Sequence, residues 1–193
     1  VGVGAEVVDL YACFPSAVQV QARALGLPLD AARLTVTGGM TFAGGPLNNA
    51  ALASTVAVVE RLRHLATAGG SARGLVTAIS GMLTKPGAMM LSSSTSPTRF
   101  AALDVTDEAT DRSPALPVDP DLAGEAVIVG ATVITTFEGI RRAVAVVGST
   151  ASGGVRRRSV VTSDRDVVAS SIAELGGAGR VVTLDGMGGF NLS

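Results

Sequence analysis

Three scarce side chains limit the covalent chemistry open to this 193-residue chain: one cysteine (Cys13), one histidine (His64) and one tyrosine (Tyr11). A thiol becomes a useful nucleophile once a neighbouring base takes its proton. Cys13 follows a strand-like run, where a free cysteine ordinarily serves as a small buried residue. His64 lies in RLRHL, near the end of a helix-like segment. Its expected roles there are solvent contact and a favourable interaction with the helix C-terminus. Tyr11 has two readings: a hydrogen-bond donor into a cleft, or a buried, satisfied phenol at a strand end. A single cysteine excludes an internal disulfide and a cysteine-based metal cluster, and no metal site is expected. Arg156, Arg157 and Arg158 invite a nucleic-acid reading, but a strand divides consecutive residues between its faces and no aromatic stacking platform accompanies them. They are read as solvated charges, as is Lys85 in a turn between two strand-like runs.

A second kind of chemistry needs no reactive side chain. Residues 36–54 read VTGGMTFAGGPLNNAALAS. Glycine serves where the backbone takes positive φ or approaches another group closely, and proline suits the first turn of a helix. Gly38-Gly39 and Gly44-Gly45 would thus deliver a helix N-terminus beginning at Pro46, with its free N–H groups, to one spot. Such a loop either binds a phosphate or carbonyl there or simply packs tightly beneath the helix. Asn48 and Asn49 are expected to cap or pack the first turn, with ligand contact as the alternative. A P-loop is excluded, because no Lys-Ser/Thr follows the glycines. His64 lies about 19 residues past the loop, or about 28 Å along a helix at ~1.5 Å per residue, out of reach of that spot.

The elements that must position the loop follow from periodicity. Gly4 to Tyr11 reads as a strand, and residues from Pro15 place Val18, Ala22 and Leu25 at helix spacing until Gly26 and Pro28. Leu34 to Thr37 is expected as a strand, and Pro46 to Leu65 as the clearest helix, with Leu47, Ala51, Leu52, Thr55, Val56, Val59 and Leu62 on one apolar face. Runs 74–80 and 87–94 read as a strand hairpin. Around residue 93 the composition turns to Ser, Thr, Asp and Pro, as in a linker. Seven basic against four acidic residues up to Leu103 give +3, and eight against twelve from Asp104 onward give −4. Beyond it, four β-branched runs around a helix-like segment at 164–176 read as a small β-rich, OB-like module. The expected organisation is 1–93, an α/β half-domain; 94–122, a linker; and 123–193, a β-rich domain.

Composition bounds the rest. The chain is 47% hydrophobic and 3% aromatic, so a large core must be built from Val, Leu, Ile and Ala. A net charge of −1 supplies no bulk attraction to nucleic acid or an anionic membrane. The apolar run 126–134 falls far short of the roughly 20 residues of a membrane span. The start VGVGAEVVDLY has no signal-peptide character, and a strand-like segment begins almost at once, so a longer polypeptide is expected. A cytoplasmic setting fits the single cysteine.

Three ordered blocks, VDLYACFPSAVQ, LTVTGGMTFAGGPLNNAALAS and GLVTAISGMLTKPG, resemble the C-terminal half of thiolases between Val8 and Ser93. The whole chain is similar to type 1 thiolase-like proteins with an additional C-terminal domain, of the acetyl-CoA acetyltransferase family. The resemblance implies one half of a layered mixed-sheet fold that packs against an N-terminal half, from the same or a separate chain. It also implies CoA or acyl-CoA as ligand in lipid and acyl metabolism, no covalent cofactor, and contact through Gly44, Gly45, Pro46 and Asn48. In such enzymes a cysteine of the N-terminal half is acylated, a GHP histidine activates it, an Asn or His supports the oxyanion hole and a second cysteine moves a proton. The matching positions here are Gly45 for the histidine, Tyr11 for the Asn/His and Ile79 for the second cysteine. Loss of a general base costs orders of magnitude in rate. The resemblance therefore implies ligand binding with degenerate acyltransferase chemistry. The alternative is an interaction or ligand-docking role for the C-terminal β domain.

Overall fold

The computed structural model describes residues 3–95, 99–139, 141–149, 155–162, 178–185 and 187–192. The chain divides into two units, 1–102 and 103–193.

In the first unit, strand β1 (Val7–Asp9) pairs in parallel with β2 (Arg73–Ile79), which pairs antiparallel with β3 (Pro86–Ser92). A parallel pair needs a long crossover. Here the connection carries helices α1 (Pro15–Ala24), α2 (Ala31–Leu34), α3 (Met40–Ala43) and α4 (Ala50–Thr67). Strand side chains alternate between faces, and the two buried clusters follow that alternation. Val8, Leu10 and Leu75 pack with Ala22, Leu27 and Leu34 on one face, whereas Val7 and Val76 pack with Val58 and Leu62 on the other. The sheet is thus sandwiched between α1 and α4. The buried stripe of α4 is Ala50, Ser54, Val58 and Leu62, at four-residue spacing. Gly74 lets this helix approach, since a Cβ there would overlap Val58 and lie 3.1 Å from Leu62 Cδ1.

Two sequence expectations change here. The long helix starts at Ala50, not Pro46. Leu47 (φ 51°) and Asn48 (φ 64°) are left-handed and cannot propagate a right-handed helix, so Pro46–Asn48 forms a separate 3-10 turn. Leu34 to Thr37 is not a strand: α2 ends at Leu34, and the next backbone amides turn toward Asp9 instead of a neighbouring strand. The stretch 94–122 contains a two-turn helix, α5 (Thr106–Arg112), whose first turn carries Asp107 and Glu108 and whose last carries Arg112, charges that complement the helix dipole.

The second unit also holds an antiparallel sheet in the order β6-β5-β4-β7-β8, from β4 (Gly124–Thr135), β5 (Arg141–Ser149), β6 (Arg157–Thr162), β7 (Val181–Leu184) and β8 (Phe190–Leu192). The pairing of β4 with β5 shifts between Ile128 and Gly130. The extra residue, Val129, is a bulge that bends the strand. Ala143, Ala145 and Val147 of β5 alternate into a core with Ile128, Val160, Val182, Leu184 and Phe190. The sheet curls until its ends meet, where the Val161 N–H donates to the Gly188 carbonyl at 2.8 Å. The short β8 was not expected, because FNL is too brief to show alternation. The expected helix at 164–176 lies outside the described residues.

The arginine triplet is structural stitching. Arg156 pairs with Asp119, Arg157 lies over Gly148, and Arg158 donates to the Leu122 carbonyl.

Candidate functional site

The C-terminal ends of a parallel strand pair are where α/β folds place ligands, and here that end carries Tyr11, Ile79 and the glycine loop. Its organiser is a residue that chemistry-first reading of the sequence passes over. Asp9 is 1% exposed at the end of β1. Its Oδ2 accepts hydrogen bonds from the Val36 and Thr37 amides, both at 2.8 Å, and from the Thr35 hydroxyl at 3.1 Å. Its Oδ1 accepts one from the Ser54 hydroxyl of α4 at 2.8 Å. A buried carboxylate requires such donors, so one side chain ties β1, the 35–37 turn and the long helix together.

The tie continues into the loop. The Thr35 hydroxyl accepts from the Gly38 and Gly39 amides at 2.9 and 3.1 Å, and the Thr37 hydroxyl accepts from Gly39 at 3.2 Å. Gly38, Gly39 and Gly44 take φ values of 83°, 75° and 73°, the region that favours glycine. Gly39 also passes close to Ala12, since a Cβ on it would lie 3.0 Å from the Ala12 Cβ. Between the paired glycines the chain makes the one-turn helix α3.

Tyr11 is held through its backbone. Its N–H donates to the Thr77 hydroxyl at 2.8 Å, and its carbonyl accepts from Gln21 Nε2 at 2.9 Å. The Thr77 hydroxyl in turn donates to Gln21 Oε1 at 2.6 Å. Gln21 and Thr77 are both buried, so this three-residue network fixes the end of β1 against β2 and α1.

Between these parts lies a small cleft lined by Tyr11, Ala12, Thr37, Gly39, Met40 and Gly44, among others, with a free volume of about 10 Å³. That is space for about one water molecule. Of the expected site residues, Tyr11 and Gly44 line this cleft. Pro46 and Asn48 are exposed beside it, and Ile79 is half-buried near the end of β2. Gly45 (φ 173°) lies outside the left-handed region that favours glycine. Its side-chain direction is nevertheless occupied: a Cβ would lie 3.0 Å from Met40 Cε and 3.1 Å from the Ala50 Cβ. Cys13 is free and half-buried. His64 is exposed in the last turn of α4, far from the loop. Among the described residues no group of His, Cys, Asp and Glu could hold a metal ion, and no helix is long and apolar enough to cross a membrane.

Sequence reasoning missed Asp9, Thr35, Thr37 and Ser54. The available signal was a lone aspartate inside the apolar run VVDLY, followed by hydroxyl-rich TVT at the loop entrance.

Comparison with models of known protein families gives no match, and comparison with curated proteins gives none either. Among solved structures, the chain is similar over 100% of its length to a monomeric SCP2-thiolase like protein type 1 from Mycobacterium smegmatis, with a TM-score of 0.75 and 23% sequence identity. This chain spans 42% of the length of that protein. The likeness establishes a thiolase-like fold.

Proposed function

We propose that this chain is the C-terminal part of a thiolase-superfamily protein, related to the acetyl-CoA acetyltransferases, that binds CoA or an acyl-CoA in cytoplasmic acyl metabolism without efficient acyl transfer. The observation that carries the reading is the glycine loop. It is built and anchored on Asp9 at the strand ends, yet residue 45 carries no side chain and Met40 and Ala50 crowd the direction one would take. Gly44, Gly45, Pro46 and Asn48 would face the ligand; the Gly38, Gly39 and Gly44 amides already donate within the loop, so binding would fall to the remaining amides and the Asn48 side chain. Tyr11, Gly45 and Ile79 supply neither a general base nor a thiol, so these three positions offer no carrier for the proton transfers of acyl transfer.

The outer faces of the first unit support an N-terminal partner half. Residues 50–59 of α4 carry no charge, and Leu52 and Val56, on the side away from the sheet, are 66% and 58% exposed. An exposed apolar face on the first half of a helix is suited to burial against another layer. The length of the structural neighbour leaves room for such a half, and its monomeric state favours supply by the same polypeptide. For the second unit we infer an OB-like domain at 123–193, reached through 94–122. The strand order and the closure of β6 on the turn before β8 support it. Exposed Phe137 and Met187 at two of its turns favour a docking role as the second reading, and deletion after Leu103 without loss of ligand or partner binding would remove that role.

The test of the main reading is a pair of experiments on the protein with its N-terminal half. CoA is expected to bind saturably at millimolar concentration or below, and absence of binding would end the proposal. Gly45→His with Met40→Ala, which frees the side-chain space, is expected to raise thiolysis above the parent protein.

A further inference from the structure

Where the curled sheet of the second unit closes, the outer edge of β6 has two partners. Toward its C-terminal end the Val161 N–H donates to the Gly188 carbonyl at 2.8 Å. Four residues earlier, about 13 Å along a strand, the partner comes from the connecting stretch. Val118 pairs in parallel with Arg157. The Arg157 N–H donates to the Pro117 carbonyl and the Asp119 N–H to the Arg157 carbonyl, both at 2.9 Å. An uncovered edge strand invites pairing with another chain, and proteins commonly cover such an edge with a loop.

This cover is held lightly. Pro117, Val118, Pro120 and Asp121 are exposed, and Asp119 is half-buried. Asp119 pairs with Arg156 at 2.6 Å, but both side chains keep solvent contact, and such pairs contribute little. The anchoring changes at the next residue. Leu122 is 5% exposed in the second core, and its carbonyl accepts from Arg158 Nη1 at 2.6 Å. Exposed backbone hydrogen bonds with few buried apolar contacts mark segments that open well below the free energy of global unfolding.

We propose that residues 117–121 form a latch on the β6 edge, hinged at Leu122, which opens while the rest of the sheet stays folded. Closed, it guards the edge. Open, it frees five residues, about 16 Å of extended chain at ~3.3 Å each, into the stretch that joins the two units. The inference is independent of whether the glycine loop binds CoA.

Amide hydrogen exchange of the intact chain, followed by NMR, tests it. The Arg157 amide is expected to be at least tenfold less protected than the amides of the β4–β5 ladder. Asp119→Pro, which deletes both the amide donor and the carboxylate, should lower Arg157 protection by a further tenfold or more. The Val161 amide and the β4–β5 amides should stay within threefold of the parent. Asp119→Ala, a milder change, should lower Arg157 protection severalfold, and adding Arg156→Gln to it should change nothing more. Asp107→Asn, on α5, is the control and should exchange as the parent does. Unchanged Arg157 protection in Asp119→Pro would overturn the proposal. So would equal loss of protection at Arg157, Val161 and the β4–β5 ladder, since the segment would then open only with the whole sheet.

Discussion

Replacing Asp9 by alanine removes a charged acceptor from four donors at once. Net contributions of about 1.5–3 kcal/mol per hydrogen bond to a charged group would sum to roughly 6–12 kcal/mol. That sum overcounts, since bonds sharing one acceptor are not additive, and the Thr35 and Ser54 hydroxyls can turn to other partners. What remains is the cost of stranding two backbone amides, about 1–3 kcal/mol each, together with a small cavity. The expected destabilisation is about 3–5 kcal/mol, a large fraction of the ~5–15 kcal/mol that holds a domain. Ser54→Ala, which removes a single donor, should cost about 1 kcal/mol, and the double variant should cost less than the sum. The chain offers a local probe: with one tyrosine and no tryptophan, Tyr11 emission during urea unfolding reports on the first unit two residues from the change. A loss below about 1 kcal/mol for Asp9→Ala would refute the reasoning, since the 35–37 amides would then have other partners.

Further outcomes follow from the same packing. Gly74→Ala puts a methyl into Val58 and should cost about 1–3 kcal/mol through overpacking, with Val58→Ala recovering part of it in urea unfolding of the double variant. Phe190, 1% exposed in the second core, should cost about 3–5 kcal/mol on truncation to alanine, read from thermal unfolding by far-ultraviolet circular dichroism. The Arg73 amide, followed by the amide of Glu6 itself and the Arg73 charge, holds the Glu6 carboxyl below its usual range. The Thr106 hydroxyl and then its amide do the same for Asp104 at the start of α5. A lowered folded-state value means stabilisation that is complete above the ordinary carboxylate range of about 4 and is lost as pH falls through the folded value. Carboxyl NMR titrations should therefore show midpoints below those of the same residues in unfolded peptides, and ordinary midpoints would contradict the contacts.

How far the sequence led differs by element. The β2–β3 hairpin followed from two apolar runs joined by Gly81 to Pro86, because local turn chemistry and strand pattern point the same way. The start of α4 did not, because Pro46 is an equally good opening for a 3-10 turn, and the left-handed Leu47 and Asn48 that break the helix leave no mark in residue type. The expected strand at Leu34 to Thr37 failed for a similar reason: β-branched residues suit a ladder, but a buried carboxylate in a distant segment claimed the Val36 and Thr37 amides. Tyr11 and Gly44 were singled out as a scarce side chain and as part of a glycine pair, and both line the small cleft, whereas Asp9 was invisible because it is a tertiary hub, defined by partners 26 to 45 residues away. The roles of the three arginines likewise depended on residues 117–122 crossing above them, which no local pattern announces.

The central claim, a loop that binds CoA chemistry without performing it, meets its most direct test in one calorimetric injection series. Acetoacetyl-CoA would be titrated into the protein with its N-terminal half, with free CoA present. The account predicts discrete binding heats that saturate and no sustained heat afterwards. A steady heat flow proportional to protein concentration, absent without CoA, would show turnover and contradict it.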